Sequence, residues 1–164
     1  MKKQMEVNFC RALETAVGAA ALLLVLVSAL KAEGAWKFYE KNNEHLQYAD
    51  GDREIFLFGC SKYVGFSTIY PDQSRKGGQA KVQLSNGKTT LNFLGTLDVN
   101  DAGTVEIDVV LDDVSDQDAG TKAVDQVEAL LAAGLPITVS AGKGSYGLPA
   151  PSIKNLRQLL GNAC

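Results

Sequence analysis

Chemistry needs particular side chains at particular spacings, and this sequence offers few. The glycines of Gly142-Lys-Gly-Ser-Tyr-Gly147 spell the GxGxxG pattern of a dinucleotide loop. That pattern works because a helix begins within it and turns its N–H groups toward a pyrophosphate. Here Pro149 and Pro151 stand between the glycines and the next helical pattern, and no glycine lies five residues before Gly142 to make a phosphate loop. The stretch therefore predicts a plain loop between a strand and a helix, with no cofactor. A second stretch, Asp98-Val-Asn-Asp-Ala-Gly103, has oxygen ligands at the first and third positions of a calcium loop and glycine at the sixth. Ala102 and Val109 occupy the fifth and twelfth positions, where further ligands belong, so a turn is predicted instead. The aspartates Asp112, Asp113, Asp116 and Asp118 are the better calcium candidate, because carboxylates so close together repel unless solvated or neutralised. They equally suit a solvated loop before a helix, whose N-terminal dipole favours negative charge.

Nucleophilic catalysis of the Ser/His/Asp or Cys/His kind must run through His45, the one histidine in the chain. It sits in Asn42-Asn-Glu-His-Leu-Gln47, a polar stretch with no nucleophile elbow, and reads as a surface residue. Zinc lacks ligands at the usual spacing. A carboxylate-dependent hydrolase stays open as an alternative, since two acids from anywhere in a chain can meet in space. The remaining chemistry belongs to sulfur and to aromatic rings. Cys60 and Cys164 form an even pair without a CxxC, which in an oxidising compartment reads as a structural disulfide. Closing a loop of about 100 residues stabilises a fold by about 4–5 kcal/mol in the chain-entropy model. The other reading, a reactive thiol at Cys60, needs His45 beside it. Trp36, Tyr39, Tyr63, Tyr70 and Tyr146 are candidates for a binding surface, because tyrosine and tryptophan are favoured where proteins recognise partners.

The elements that must position these residues are mostly strands. Trp36–Tyr39 reads as a first edge strand, and the polar stretch Lys41–Asp52 as a connection ending in the turn Asp50-Gly51-Asp52. Glu54–Cys60 has four apolar residues in a row and predicts a strand covered on both faces. Tyr63–Tyr70 continues in the same style. Gln79–Ser85 and Lys88–Leu94 predict a hairpin around Asn86-Gly87, a pair suited to a type I′ turn. Thr104–Leu111 alternates, with Val105, Ile107, Val109 and Leu111 facing one way and Thr104, Glu106 and Asp108 the other, so its sheet is open to water on one face. From Thr121 to Ala133 the apolar spacing becomes helical, with Gly134 as the stop. Leu135–Ala141 is a strand and Ser152–Leu160 a second helix, with Pro151 suited to its first turn. The fold class expected is α+β: a mainly antiparallel sheet of about six to eight strands with two helices in the C-terminal third and one disulfide.

Ahead of this domain runs Ala16–Leu30, uncharged, preceded by Lys2, Lys3 and Arg11 and followed by Ala32 and Ala35. It is shorter than the roughly 20 apolar residues that span a bilayer and closer to a signal-peptide core. A basic start, an apolar centre and a small-residue exit make residues 1–32 a signal peptide, leaving a single β-rich domain over 33–164. The alternative is an uncleaved membrane anchor, since Glu6 and Glu14 are unusual in a leader and Lys31 could rest at the interface. Removing Lys2, Lys3, Arg11 and Lys31 together with Glu6 and Glu14 takes the formal charge from −3 to −5. That balance excludes a phosphate backbone as partner, because nucleic-acid binding depends on excess lysine and arginine. A membrane is expected as partner only if residues 16–30 are retained.

The tail Glu128-Ala-Leu-Leu-Ala-Ala-Gly-Leu-Pro-Ile-Thr-Val139, then Tyr146-Gly-Leu148, then Leu156, Leu160 and Cys164, is similar to that of small exported bacterial proteins of the invasion-associated locus B type. The chain departs from that family in having no cysteine just after the leader. The resemblance implies a Gram-negative envelope protein and carries no catalytic set. The function expected is therefore that of a periplasmic or secreted, non-catalytic protein that binds an envelope protein or a small ligand. An anchored accessory subunit of a membrane complex and the hydrolase are the alternatives.

Overall fold

The structure is a computed structural model that describes residues 34–40, 44–60, 64–112 and 116–163, with the side chains of Cys60 and Ala163 outside that description. The signal peptide expected over residues 1–32 lies outside the described residues. Residues 34–164 form one compact unit. Among the described residues no helix is long and apolar enough to cross a membrane.

The strands follow in chain order as β1 (Ala35–Tyr39), β2 (His45–Asp50), β3 (Arg53–Cys60), β4 (Val64–Ile69), β5 (Gln79–Ser85), β6 (Thr90–Val99) and β7 (Val105–Val110). Helix α1 (Gln117–Leu131), β8 (Ile137–Ala141), β9 (Gly144–Leu148) and helix α2 (Leu156–Ala163) complete the domain. Among the described residues nine strands join one sheet in the order β1-β2-β3-β4-β7-β6-β5-β8-β9, and each pairing is antiparallel. The sheet is rolled into a half-barrel with two helices, so the class is α+β.

Period-2 alternation sets the inner face. Ala80, Val82 and Leu84 of β5, Val105, Ile107 and Val109 of β7, and Phe56 and Phe58 of β3 are buried, while Lys81, Asp108 and Val110 point to water. The roll needs a corner, and β6 supplies it. Thr90–Thr96 of this strand pairs with β5, and Thr96–Val99 pairs with β7. Gly95 stands at the changeover, where an added methyl would lie 2.6 Å from Ile107 Cγ1 and 2.7 Å from the Asp108 carbonyl oxygen. Glycine is the residue that permits a strand to bend this closely against its neighbour.

The helices close the core. Asp116 caps α1, its Oδ1 accepting from the Ala119 N–H at 3.1 Å, and Gly134 follows the helix with φ +65°. Val127, Leu130 and Leu131 of α1 and Leu156 and Leu160 of α2 join the sheet residues in one apolar cluster. Helix α2 packs on α1 and on β2. Between the helices Glu128, 4% exposed, meets Arg157 Nε at 3.8 Å. Burial holds its carboxyl above the usual glutamate range, and the Arg157 charge only partly offsets this.

The observed strands outnumber the six to eight expected, because two were hidden. Strand β2 lies in the polar stretch Lys41–Asp52: only Leu46 and Tyr48 turn inward, and the outward Gln47 spends its amide on Glu54. Strand β9 lies where a loop was expected over Gly142–Gly147, because a chain with three glycines and one inward aromatic carries almost no apolar alternation. Strand β3 is covered on one face more than the other: Phe56 and Phe58 are fully buried, Ile55 and Leu57 half-buried. The turn at Asn86-Gly87 is not type I′. Gly87 alone has positive φ (+80°), and the loop closes through Asn86 Oδ1, which accepts from Lys88 N at 3.1 Å and Thr89 N at 2.9 Å. Helix α2 begins at Leu156, later than the Ser152 expected, so Pro151 precedes its first turn. Asn155 turns the chain with φ +57°, and its carbonyl accepts from Gln158 N and Leu159 N.

Candidate functional site

A groove of about 950 Å³ lies over β5, β6 and the end of β8. Strand pairing lays down its floor as cross-strand rows. Gln83 stands between Asn92 and Ser140, and Gln83 Nε2 donates to Asn92 Oδ1 at 2.9 Å. Two residues along β5, Lys81 faces Leu94, which is 57% exposed. Arg75 closes the far end, its Nη2 donating to the Gln79 carbonyl at 2.7 Å.

Arg75 belongs to the connection from β4 to β5, and local bonds hold that connection in place. Gln73 Oε1 accepts from Val105 N at 2.8 Å while its Nε2 donates to the Val105 carbonyl at 3.1 Å. Asp72 Oδ1 accepts from Ser74 N at 3.1 Å and Ser74 Oγ at 2.6 Å. These bonds from Ser74 hold the Asp72 carboxyl below its usual range, with a smaller pull from Arg75. The groove's lining includes Arg75 and Lys81 but no carboxylate, histidine or thiol. Its two cations can bind and orient an anion.

A smaller recess of about 270 Å³ lies between β2–β4 and β9, lined by Tyr48, Asp50, Arg53, Ile55, Ile69 and Tyr146 among others. Tyr146 crosses the roll, its hydroxyl hydrogen-bonded to Thr68 Oγ1 and 3.3 Å from the Ile69 carbonyl. Thr68 Oγ1 donates in turn to the Ile55 carbonyl at 2.9 Å. Burial pushes the Tyr146 phenol up to about 12, against the Thr68 bond. An unfolded tyrosine ionises near pH 10, so above that pH the unfolded chain loses a proton that the native state keeps. The stability tied to this group is complete below about pH 10 and drains away as pH climbs toward 12. Absorbance titration at 295 nm should show one tyrosine ionising late. Tyr146→Phe should remove that late phase and cost about 1 kcal/mol in urea unfolding, the worth of one ordinary hydrogen bond.

The structure disperses the five aromatic candidates. Trp36 faces inward against Tyr48 (5.2 Å between ring centroids) and Phe56 (5.9 Å), and its Nε1–H donates to the Pro149 carbonyl at 2.7 Å. Tyr39 is 39% exposed and stacks on His45 at 4.6 Å. Tyr70 is buried and lines the larger groove, Tyr146 the smaller, and Tyr63 lies outside the described residues. Of the aspartates, Asp112 Oδ1 accepts from Val64 N at 3.2 Å and Asp116 caps α1, while Asp118 is exposed in the first turn of α1 and Asp113 lies outside the described residues. Among the described residues no three His, Cys, Asp or Glu side chains group as a metal site.

In Asp98–Gly103, Asn100 Oδ1 accepts from Ala102 N at 3.1 Å and Thr104 N at 3.0 Å, which makes the turn. The glycines of Gly142–Gly147 form the β8–β9 hairpin, with Ala141 opposite Gly144, and no helix opens among them. Cys60 ends β3; its side chain and Cys164 lie outside the described residues. Sequence reasoning missed Arg75, Lys81, Gln83, Asn92, Leu94 and Ser140. The hairpin pattern alone could have set Lys81 opposite Leu94 and Gln83 opposite Asn92, but Ser140 and Arg75 arrive through long-range topology. The chain matches no protein-family model, no curated protein and no solved structure.

Proposed function

We propose that the chain is an exported, non-catalytic binding protein of a Gram-negative cell envelope, and that the groove over β5, β6 and β8 is where it takes its partner. The observation that carries this reading is the composition of that groove: cations, amides and an exposed leucine, with no carboxylate, histidine or thiol. Export is supported by the uncharged run Ala16–Leu30 behind Lys2, Lys3 and Arg11 and by the similarity of the tail to locus B-type proteins. A Cys60–Cys164 bridge belongs to the same proposal. It is supported by topology, since Cys60 ends the strand beside β2, and α2, which packs on β2, ends next to Cys164.

Two measurements test it. Intact mass of the native protein should correspond to a chain beginning near Glu33 and should gain two hydrogens on reduction. A full-length mass in the membrane fraction would turn the reading toward an anchored subunit. A photoreactive phenylalanine analogue replacing Leu94 should then cross-link a partner in intact cells, while the same analogue at Val110 should not. Leu94 and Val110 are 57% and 59% exposed, so exposure alone cannot produce the difference.

A further inference from the structure

We infer that the groove over β5, β6 and β8 binds an acidic peptide segment in extended conformation, with carboxylates at alternate positions. The inference rests on the reading of this groove as the binding site and adds the chemistry of its ligand.

Charge comes first. The chain carries 19 acidic against 16 basic residues, yet the groove is lined by Arg75 and Lys81 and no acid. Among the described residues neither cation has a salt bridge within 4.0 Å: the ion pairs found join Arg157 to Asp125 and to Glu128. The acids of the same sheet face stand apart, on Asp98 at the end of β6 and on Glu106 and Asp108 of β7. The outer face is thus divided, positive toward β5 and negative toward β7. An anion is drawn to one side and repelled from the other.

Spacing comes second. The Arg75 guanidinium is held on the Gln79 carbonyl, and Lys81 projects two residues farther along β5. Gln79 and Lys81 stand roughly 6–7 Å apart on one face of β5, the repeat of side chains on one face of an extended chain. Two residues beyond Lys81 lie Gln83 and Asn92. Their mutual bond uses Gln83 Nε2 and Asn92 Oδ1, which leaves Gln83 Oε1 as an acceptor and Asn92 Nδ2 as a donor. One acceptor and one donor side by side is what a peptide group needs. Leu94, directly opposite Lys81, adds an exposed apolar contact.

A sulfated or carboxylated sugar fits less well. Sugars are held against exposed aromatic rings, and the rings here turn inward: Tyr70 is 3% exposed, and Phe93 packs on the core with its ring 5.3 Å from Phe66.

The test is titration of the isotopically labelled native protein, followed by amide chemical shifts. The probes are a capped nonapeptide alternating glutamate with valine and threonine, its lysine counterpart, and a sulfated disaccharide. The glutamate peptide should give saturable shifts centred on Lys81, Gln83, Asn92, Leu94 and Ser140, weakened by added salt. The lysine peptide should give none, and the sugar should bind about tenfold more weakly or worse. Lys81→Gln and Arg75→Gln should each weaken the glutamate peptide about tenfold, the usual loss for one charge-assisted bond. Lys37→Gln on β1 should leave it unchanged. Lys81 is exposed and, among the described residues, its side chain makes no hydrogen bond or ion pair, so its variant tests binding without disturbing the β5–β6 pairing. The inference is overturned by an absence of saturable shifts, by shifts centred elsewhere, by Lys81→Gln without effect, or by sugar bound as tightly as peptide. If cross-linking at Leu94 succeeds while the glutamate peptide fails, the groove stands as the binding site and only its acidic specificity falls.

Discussion

Phe56→Ala is expected to lower the unfolding free energy by about 3–5 kcal/mol, the range for deleting a buried aromatic ring. Phe56 is fully buried, stacked on Phe66 at 5.7 Å and meeting Trp36 edge-on at 5.9 Å. Its cross-strand neighbours are Tyr48 on β2 and Thr68 on β4. The row from Trp36 through Tyr48 and Phe56 to Thr68 thus ties β1–β4 together across the inner face, and Tyr146 reaches the end of that row from β9. Four strands and the crossing contact all lean on the ring that would be removed. Since a domain of this kind has a net stability of about 5–15 kcal/mol, the loss is roughly a fifth of the whole or more. Urea unfolding followed by tryptophan emission will read it, because Trp36 is the sole tryptophan and lies against the site. Leu57→Ala, one residue along on the half-buried face, should cost less than half as much. Equal losses for the two would contradict the assignment of the inner face.

The second large effect concerns Gly95, where Gly95→Ala should destabilise by about 3 kcal/mol, the upper part of the range for overpacking. At an ordinary strand position, replacing glycine gains roughly 0.5–1 kcal/mol. Here the sign reverses, because the new methyl would meet the backbone oxygen of Asp108 at 2.7 Å as well as Ile107 Cγ1 at 2.6 Å. A backbone oxygen in a paired strand cannot swing aside as a surface side chain can. Gly147 on β9 is the internal control, since a methyl there meets nothing within 4 Å. Gly147→Ala should be neutral or mildly stabilising. Thermal unfolding of the two variants, measured side by side, separates a corner that needs glycine from a strand that merely contains one.

These residues also show what the sequence could reveal. The alternation of Val105, Ile107, Val109 and Leu111 depends only on neighbours in the chain, and all four are buried as that pattern requires. The first edge strand, the Gln79–Ser85 strand and both helical faces were legible for the same local reason. Strand β2 was not, because a strand beside the edge is stabilised by pairing and by the Gln47–Glu54 bond more than by apolar burial. Strand β9 was not, because pairing with β8 and the Tyr146 hydroxyl give it what its composition lacks. The role of Gly95 was equally hidden: only the partners of β6 reveal that the strand changes neighbours there. The groove had half a signature, in the outward residues of one hairpin. Its cations became a site only when a connection from β4 and a strand beyond α1 were folded onto that hairpin.

The bond from Trp36 to the Pro149 carbonyl joins positions 113 residues apart. A sheet with open margins invites other chains to extend it, and β1 and β9 are the two margins of this one. By fastening the first margin to the residue just past the last, the molecule makes each end the guard of the other. Loosening either margin should therefore weaken the cover of the other, and a cut near one should ease self-association through the opposite one.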